Sequence, residues 1–183
     1  MIRRSFLALV CGTTILTACG FQLRGQQNYA FKRLAIVGAP PVVAARLKRM
    51  IEGGSDTVVV KSTSTADAIL SVSEGRSQSV LTLNSAGAAE EYALTYSLSY
   101  TLTGADGTLL IPSSAIQLNR AMTYSVTYAL AKAQESELLY ADMQNDAVDQ
   151  LTRRLASVRS LHPAAGEQTP GVAPRAPLPP PPL

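Results

Sequence analysis

The apolar positions of this chain change their spacing several times, and each change marks an element. Residues 5–15 are a continuous apolar run behind Arg3 and Arg4, shorter than the ~20 residues a membrane-spanning helix requires. Arg33-Leu34-Ala35-Ile36-Val37, closed by Gly38, predicts a first strand. Pro40-Pro41 then opens a helix, since proline suits the first helical turn. Val43, Leu47, Met50 and Ile51 fall on one face of it, Arg46, Lys48, Arg49 and Glu52 lie elsewhere, and Gly53-Gly54 ends it. The β-branched residues 57–61 predict a second strand. Such a β-α-β unit implies a right-handed crossover if its strands are parallel.

From residue 66 the spacing becomes two. Leu70 and Val72 alternate with Ser71 and Ser73, and Gly75 reads as a bulge or a break. Residues 91–103 form the clearest strand: Tyr92, Leu94, Tyr96, Leu98, Tyr100 and Leu102 share one face, and Ala93, Thr95, Ser97, Ser99 and Thr101 the other. One face is apolar; the other is polar and carries no charge. Ala105-Asp106-Gly107 predicts a hairpin turn, and a further strand follows, with Ile116, Leu118, Met122 and Tyr124 in phase. Arg120 interrupts that phase, so it sits in a bulge or protrudes into something other than the core. Residues 129–158 return to the helical period, with Tyr140, Met143, Ala147, Leu151, Leu155 and Val158 as a buried stripe broadened by Leu139 and Val148. The order β-α-β-β-β-α predicts an α/β (α+β) two-layer sandwich. Its single sheet is mostly antiparallel and four-stranded, with two helices on one face. Beyond His162-Pro163 the chain turns proline-rich, a composition that builds no core and favours an extended, disordered tail.

The apolar run at the front ends in Leu16-Thr17-Ala18-Cys19-Gly20. This resembles the lipobox of bacterial lipoproteins, which implies cleavage before Cys19 and acylation of its thiol and new amine. One acyl chain holds only reversibly, whereas two or more anchor stably. No other segment approaches the length of a transmembrane helix, so the resemblance implies a protein anchored to a membrane rather than spanning it. Gly20, not aspartate, follows the cysteine and favours the outer membrane. The expected division is 1–18 signal peptide, 19–32 lipidated tether, 33–160 folded domain and 161–183 proline-rich tail.

Composition then narrows the function. The chain has 183 residues and a formal charge of +3. Loss of residues 1–18 removes Arg3 and Arg4 and leaves 14 basic against 13 acidic groups, too even for a nucleic-acid-binding face. Cys11 would leave with the signal and Cys19 would carry lipid, so no thiol would remain for a disulfide or a metal. The single histidine, His162, lies just before the proline tail and leaves no credible Ser-His-Asp, Cys-His or zinc arrangement. Glu90 and Glu91 are adjacent in a strand and point to opposite faces. No glycine-rich phosphate loop follows a strand. The expectation is a protein that is not an enzyme and has no cofactor or metal.

Cys19-Gly20-Phe21-Gln22-Leu23-Arg24 at the mature start, the element order, Ala129-Leu130-Ala131-Lys132 at the entry to the last helix and Gln150-Leu151-Thr152-Arg153-Arg154-Leu155 within it together resemble the LPS-assembly lipoprotein family LptE (RlpB). The likeness covers roughly residues 19–160. It implies an outer-membrane lipoprotein on the periplasmic face that plugs the LptD β-barrel, assists its assembly and helps deliver LPS to the outer leaflet. A domain of ~130 residues has a radius of gyration of roughly 14 Å, which only a very large barrel could admit. The uncharged strand face would suit a polar lumen. The family links LPS with cations on a strand-connecting loop and at the start of the last helix. Lys132 matches the second position. The loop Leu83-Asn84-Ser85-Ala86-Gly87 offers no cation, which shifts that role to Arg120 or Arg76. The competing readings are a free periplasmic lipid or LPS carrier, which needs an apolar groove between helices and sheet, and a pilotin-like envelope lipoprotein.

Overall fold

The computed structural model describes residues 27–163. Cys19, the signal segment and most of the proline tail lie outside the described residues. The elements run β1 (Arg33–Val37), α1 (Pro41–Gly54), β2 (Val58–Val60), a 3-10 turn (Thr63–Thr65), β3 (Ala68–Leu83), β4 (Ala89–Gly104), β5 (Leu109–Thr123), a second 3-10 turn (Val126–Tyr128) and α2 (Ala129–Ala156). They make one α+β sandwich with strand order β2-β1-β3-β4-β5. The sheet thus has five strands, not the expected four. After the three-residue β2 the chain turns through Ser62 and Ala66 and re-enters on the opposite edge of β1 as a separate strand. β1 pairs in parallel with β2 and β3, and the long β3-β4-β5 meander is antiparallel.

The helix-facing side of the sheet follows the alternation along β4. Leu94, Tyr96, Leu98, Tyr100 and Leu102 are buried, opposite Leu70 and Val72 of β3 and Ile111 and Ile116 of β5. α1 buries Val43, Leu47 and Ile51, and α2 buries Tyr140, Met143, Ala147, Val148, Leu151 and Leu155. Each such large apolar side chain contributes roughly 1.5–3 kcal/mol when taken fully out of water, so this layer holds the helices to the sheet. Tyr29 and Phe31, in the stretch expected to be tether, are also buried and stack with ring centroids 5.4 Å apart. The packed unit therefore begins before β1.

Gly75 produces no bulge. It stays in register with Ser97, and a Cβ there would lie 2.6 Å from the Ser97 hydroxyl oxygen, so the glycine permits close cross-strand approach. The register shifts fall at Val80/Thr82 and Thr82/Leu83 instead. The β4–β5 turn forms as expected, with Gly107 at φ +87° and Asp106 accepting from the Thr108 N–H at 2.9 Å and hydroxyl at 2.7 Å.

These connections give the unit a base and a tip. At the base, the Gln27 N–H donates to the Gly54 carbonyl at the end of α1, and the Ala105 N–H donates to the Asp67 carbonyl ahead of β3. His162 lies 3.6 Å from Asp106 there. Both ends of the described chain leave from the base. The tip holds the β3–β4 hairpin and the start of α2.

Candidate functional site

The helix-facing positions of β3 change character along the strand. Towards the base they are Ala68, Leu70 and Val72; towards the tip they are Glu74, Arg76 and Gln78, opposite Leu98, Tyr96 and Leu94. One carboxylate oxygen of Glu74 accepts from the Tyr96 hydroxyl at 3.1 Å and the Gln144 amide at 2.9 Å; the other accepts from Arg76 Nε at 3.0 Å. Arg76 also reaches Glu137 at 3.4 Å and lies 5.3 Å from the Tyr140 ring centroid, within cation–π range. The Tyr140 hydroxyl donates to the Ser77 carbonyl at 2.7 Å. Burial, reinforced by the Glu74 charge, pushes the Tyr96 phenol well above its ordinary range, and burial raises that of Tyr140. Both phenols therefore stay protonated donors. This network locks the tip half of α2 to the sheet.

The other two candidate cations border the same helix. Arg120 stands in unbroken register opposite Leu94 and bonds Asp146 at 3.1 Å, with Asp142 at 3.9 Å. Of the two expectations for it the bulge fails: it protrudes from the core-facing side into an ion pair with α2. Lys132 donates to the Thr123 hydroxyl at 3.0 Å and pairs with Glu135 at 2.8 Å, its side chain only 20% exposed. Arg76, Arg120 and Lys132 thus gather around the tip half of α2, each with a carboxylate. Arg76 and Arg120 flank it on strands separated by β4, about 10 Å apart across the sheet. A break in phase points to Arg120 and the family resemblance to Lys132, whereas neither signal finds Glu74 and Gln144, seventy residues apart.

The opposite face of the sheet carries neither helix and is a field of short hydroxyl side chains. Ser71, Ser73, Ser77 and Ser79 of β3 lie beside Thr95, Ser97, Ser99 and Thr101 of β4, and Gln117, Asn119 and Ala121 of β5 complete it. No charged residue interrupts it from Ile69 to Ser79 or from Ala93 to Thr103 on this face. A shallow depression of about 340 Å³ opens on it between Gly38, Ser71, Ser73, Ser99, Thr101 and Ser113.

The tip exposes apolar side chains instead. Leu83 on the hairpin is 61% exposed, and Val126, Tyr128, Leu130 and Leu138 around the start of α2 are 66–77% exposed. Ala133, Gln134, Glu137 and Leu138 line an open groove of about 540 Å³. Exposed large apolar side chains gathered at one end of the unit make the tip a candidate contact surface. Among the described residues no cluster of His, Cys, Asp or Glu is arranged to hold a metal, and no helix is long and apolar enough to cross a membrane.

Comparison with known proteins places this geometry. The family model LptE, described as lipopolysaccharide-assembly, matches residues 22–155. An uncharacterized lipoprotein B from Nitrosomonas europaea, solved by NMR, is 33% identical over 75% of this chain and 91% of that one, with a TM-score of 0.64. The rare lipoprotein B from Shewanella oneidensis is 21% identical over 68% and 94%, with a TM-score of 0.57. A minor lipoprotein from Acinetobacter baumannii is 14% identical over 71% and 94%, also with a TM-score of 0.57, a likeness of fold alone. No curated protein matches the chain.

Proposed function

Because the chain belongs to the LptE lipopolysaccharide-assembly family, we propose that it is a lipid-anchored plug and assembly partner of an LptD-like outer-membrane β-barrel. In this reading Cys19 carries the acyl chains on the periplasmic side of the outer membrane, and the folded unit works in the barrel lumen during LPS transport to the outer leaflet. It turns over no substrate. The observation that carries the reading is the family match over nearly the whole folded unit. Its surface supports it: a hydroxyl-rich face without charge suits the polar interior of a large barrel, and an apolar tip gains from burial against a partner.

Lys132, with Arg120 or Arg76 as further cations, would meet the lipid A phosphates through charge-assisted bonds. Since each is already paired, a phosphate would have to displace Glu135, Asp146 or Glu137. That favours contact in passage over tight storage. A free lipid carrier would need an apolar cleft between helices and sheet. That layer is filled by Leu47, Leu94, Leu98, Met143 and Leu151, none of them exposed. The reading is tested by gentle detergent extraction of envelopes followed by affinity purification. Recovery of a large outer-membrane barrel at equal stoichiometry is expected, and recovery of the chain alone would overturn it.

A further inference from the structure

Base and tip differ most in the state of their positive charge. At the base the exposed side chains of Lys32, Arg49, Arg153 and Arg159 have no carboxylate partner among the described residues. The carboxylates there are mostly occupied: Asp67 by Arg33, Glu52 by Lys48 and the Val59 N–H, Asp106 by Thr108. Asp56 is the exposed exception. At the tip the pattern inverts, with all three cations paired and Glu90 and Glu91 lacking a cation among the described residues. Topology explains the placement. β1 begins at the base and both helices end there, so residues at those termini ring the point where the N-terminal segment leaves the unit.

We propose that the base is a docking surface for anionic lipid headgroups, which holds the unit base-down on the membrane and directs the apolar tip away from it. The inference takes the anchor at Cys19 from the reading above. The eight residue steps from Cys19 to Gln27 reach at most ~26 Å, so the base is the part that such an anchor keeps beside the bilayer. Unpaired cations there meet the negative surface potential within a Debye length of ~8 Å, and each adds roughly fivefold to the ratio of docked to free units. Paired cations at the tip add little, because their carboxylates would be repelled. Docking thus sets the orientation of the lipoprotein before it meets its partner, with the tip leading.

The test uses the lipidated protein purified from membranes and placed in phosphatidylethanolamine vesicles with or without phosphatidylglycerol, all carrying a headgroup quencher. A fluorophore is attached at Ser160→Cys on the base or at Ser85→Cys on the tip. The base probe should be quenched more in the anionic vesicles, the difference should vanish in high salt, and the tip probe should stay bright. Arg153→Gln and Arg159→Gln should each lower the docked-to-free ratio roughly fivefold. Base quenching that is equal in both vesicle types, or indifferent to salt and to both substitutions, would overturn the docking. Mass analysis of the N-terminal peptide in the same sample separates the two readings. A lipidated terminus with charge-independent quenching rejects the docking and spares the anchor; an unmodified terminus with charge-dependent quenching rejects the anchor and spares the docking.

Discussion

The base and the tip of this unit draw on the same residue types and arrange them in opposite ways. At the base two helices cover the sheet, the helix-facing side chains are apolar, and several exposed cations, Lys32, Arg153 and Arg159 among them, have no carboxylate partner among the described residues. At the tip α2 alone covers the sheet; α1, with 14 residues, is about 21 Å long, against roughly 54 Å for the 16-residue β3. Half the sheet therefore has one helix to pack against. Its helix-facing positions Glu74, Arg76 and Arg120 fasten that helix by hydrogen bonds and ion pairs in place of a second apolar layer. The contrast teaches that polarity inside a two-layer fold follows how much helix is available to cover the strands.

The strongest way to break the contrast is to remove its keystone at the tip. Glu74→Ala leaves the buried Gln144 amide without its acceptor and Arg76 with only the exposed Glu137. The Glu74 side chain is 15% exposed, and leaving buried donors such as the Gln144 amide without an acceptor costs about 1–3 kcal/mol. Urea unfolding should show that loss, and hydrogen exchange should show faster amides around Glu137 to Gln144 but not in the last two turns of α2. Uniform exchange along α2 would mean that the tip has no separate fastening. Glu74→Gln, which keeps an acceptor for Tyr96, should recover part of the stability.

Next in size is the exposed apolar surface. Leu130→Ser together with Leu138→Ser changes residues that are 77% and 73% exposed, so the melting temperature should barely move. Recovery of the barrel in pull-downs should fall about tenfold or more, as expected for anchor residues of an interface. Undiminished recovery would move the partner surface to the hydroxyl face. A smaller effect is expected at Lys132. Lys132→Glu places a carboxylate beside Glu135 and should weaken LPS binding several-fold with the fold intact by circular dichroism. Unchanged binding would remove Lys132 from any LPS contact.

Much of this architecture is written locally in the chain. The stripe from Tyr140 to Val158 is legible because its members recur at helical spacing, and β4 because its alternation runs unbroken from Tyr92 to Leu102. The short strand at Val58–Val60 is legible from its β-branched run, but the count of five is not, because only the fold shows that the chain leaves β2 and re-enters on the other edge of β1 as the separate strand β3. Tyr29 and Phe31 escape for a related reason: two aromatic residues outside an element carry no phase, and their burial depends on α1 and β1 arriving beside them. Arg120 announces itself by breaking a phase, yet only the fold supplies Asp146 as its partner. The Glu74–Gln144 bond joins residues with no mutual sequence signal at all.

The gentlest probe lies at the base, where Asp67 accepts from the Lys32 and Arg33 N–H groups at 3.1 and 2.9 Å and from the Arg33 guanidinium at 3.1 and 2.7 Å. The Arg33 side chain holds this carboxyl below the usual carboxylate range. A carboxyl whose folded pKa is depressed binds protons more readily in the unfolded chain. Its contribution is therefore complete above the unfolded pKa of about 3.9 and drains away as pH falls through the lower folded value. Asp67→Asn should accordingly cost a little stability at neutral pH and flatten the acid limb below about pH 4. Both effects should be smaller than those at Glu74, because this pair is open to solvent and screened. Equal losses at the two sites, followed by urea unfolding across pH, would erase the distinction between an exposed latch at the base and a buried fastening at the tip.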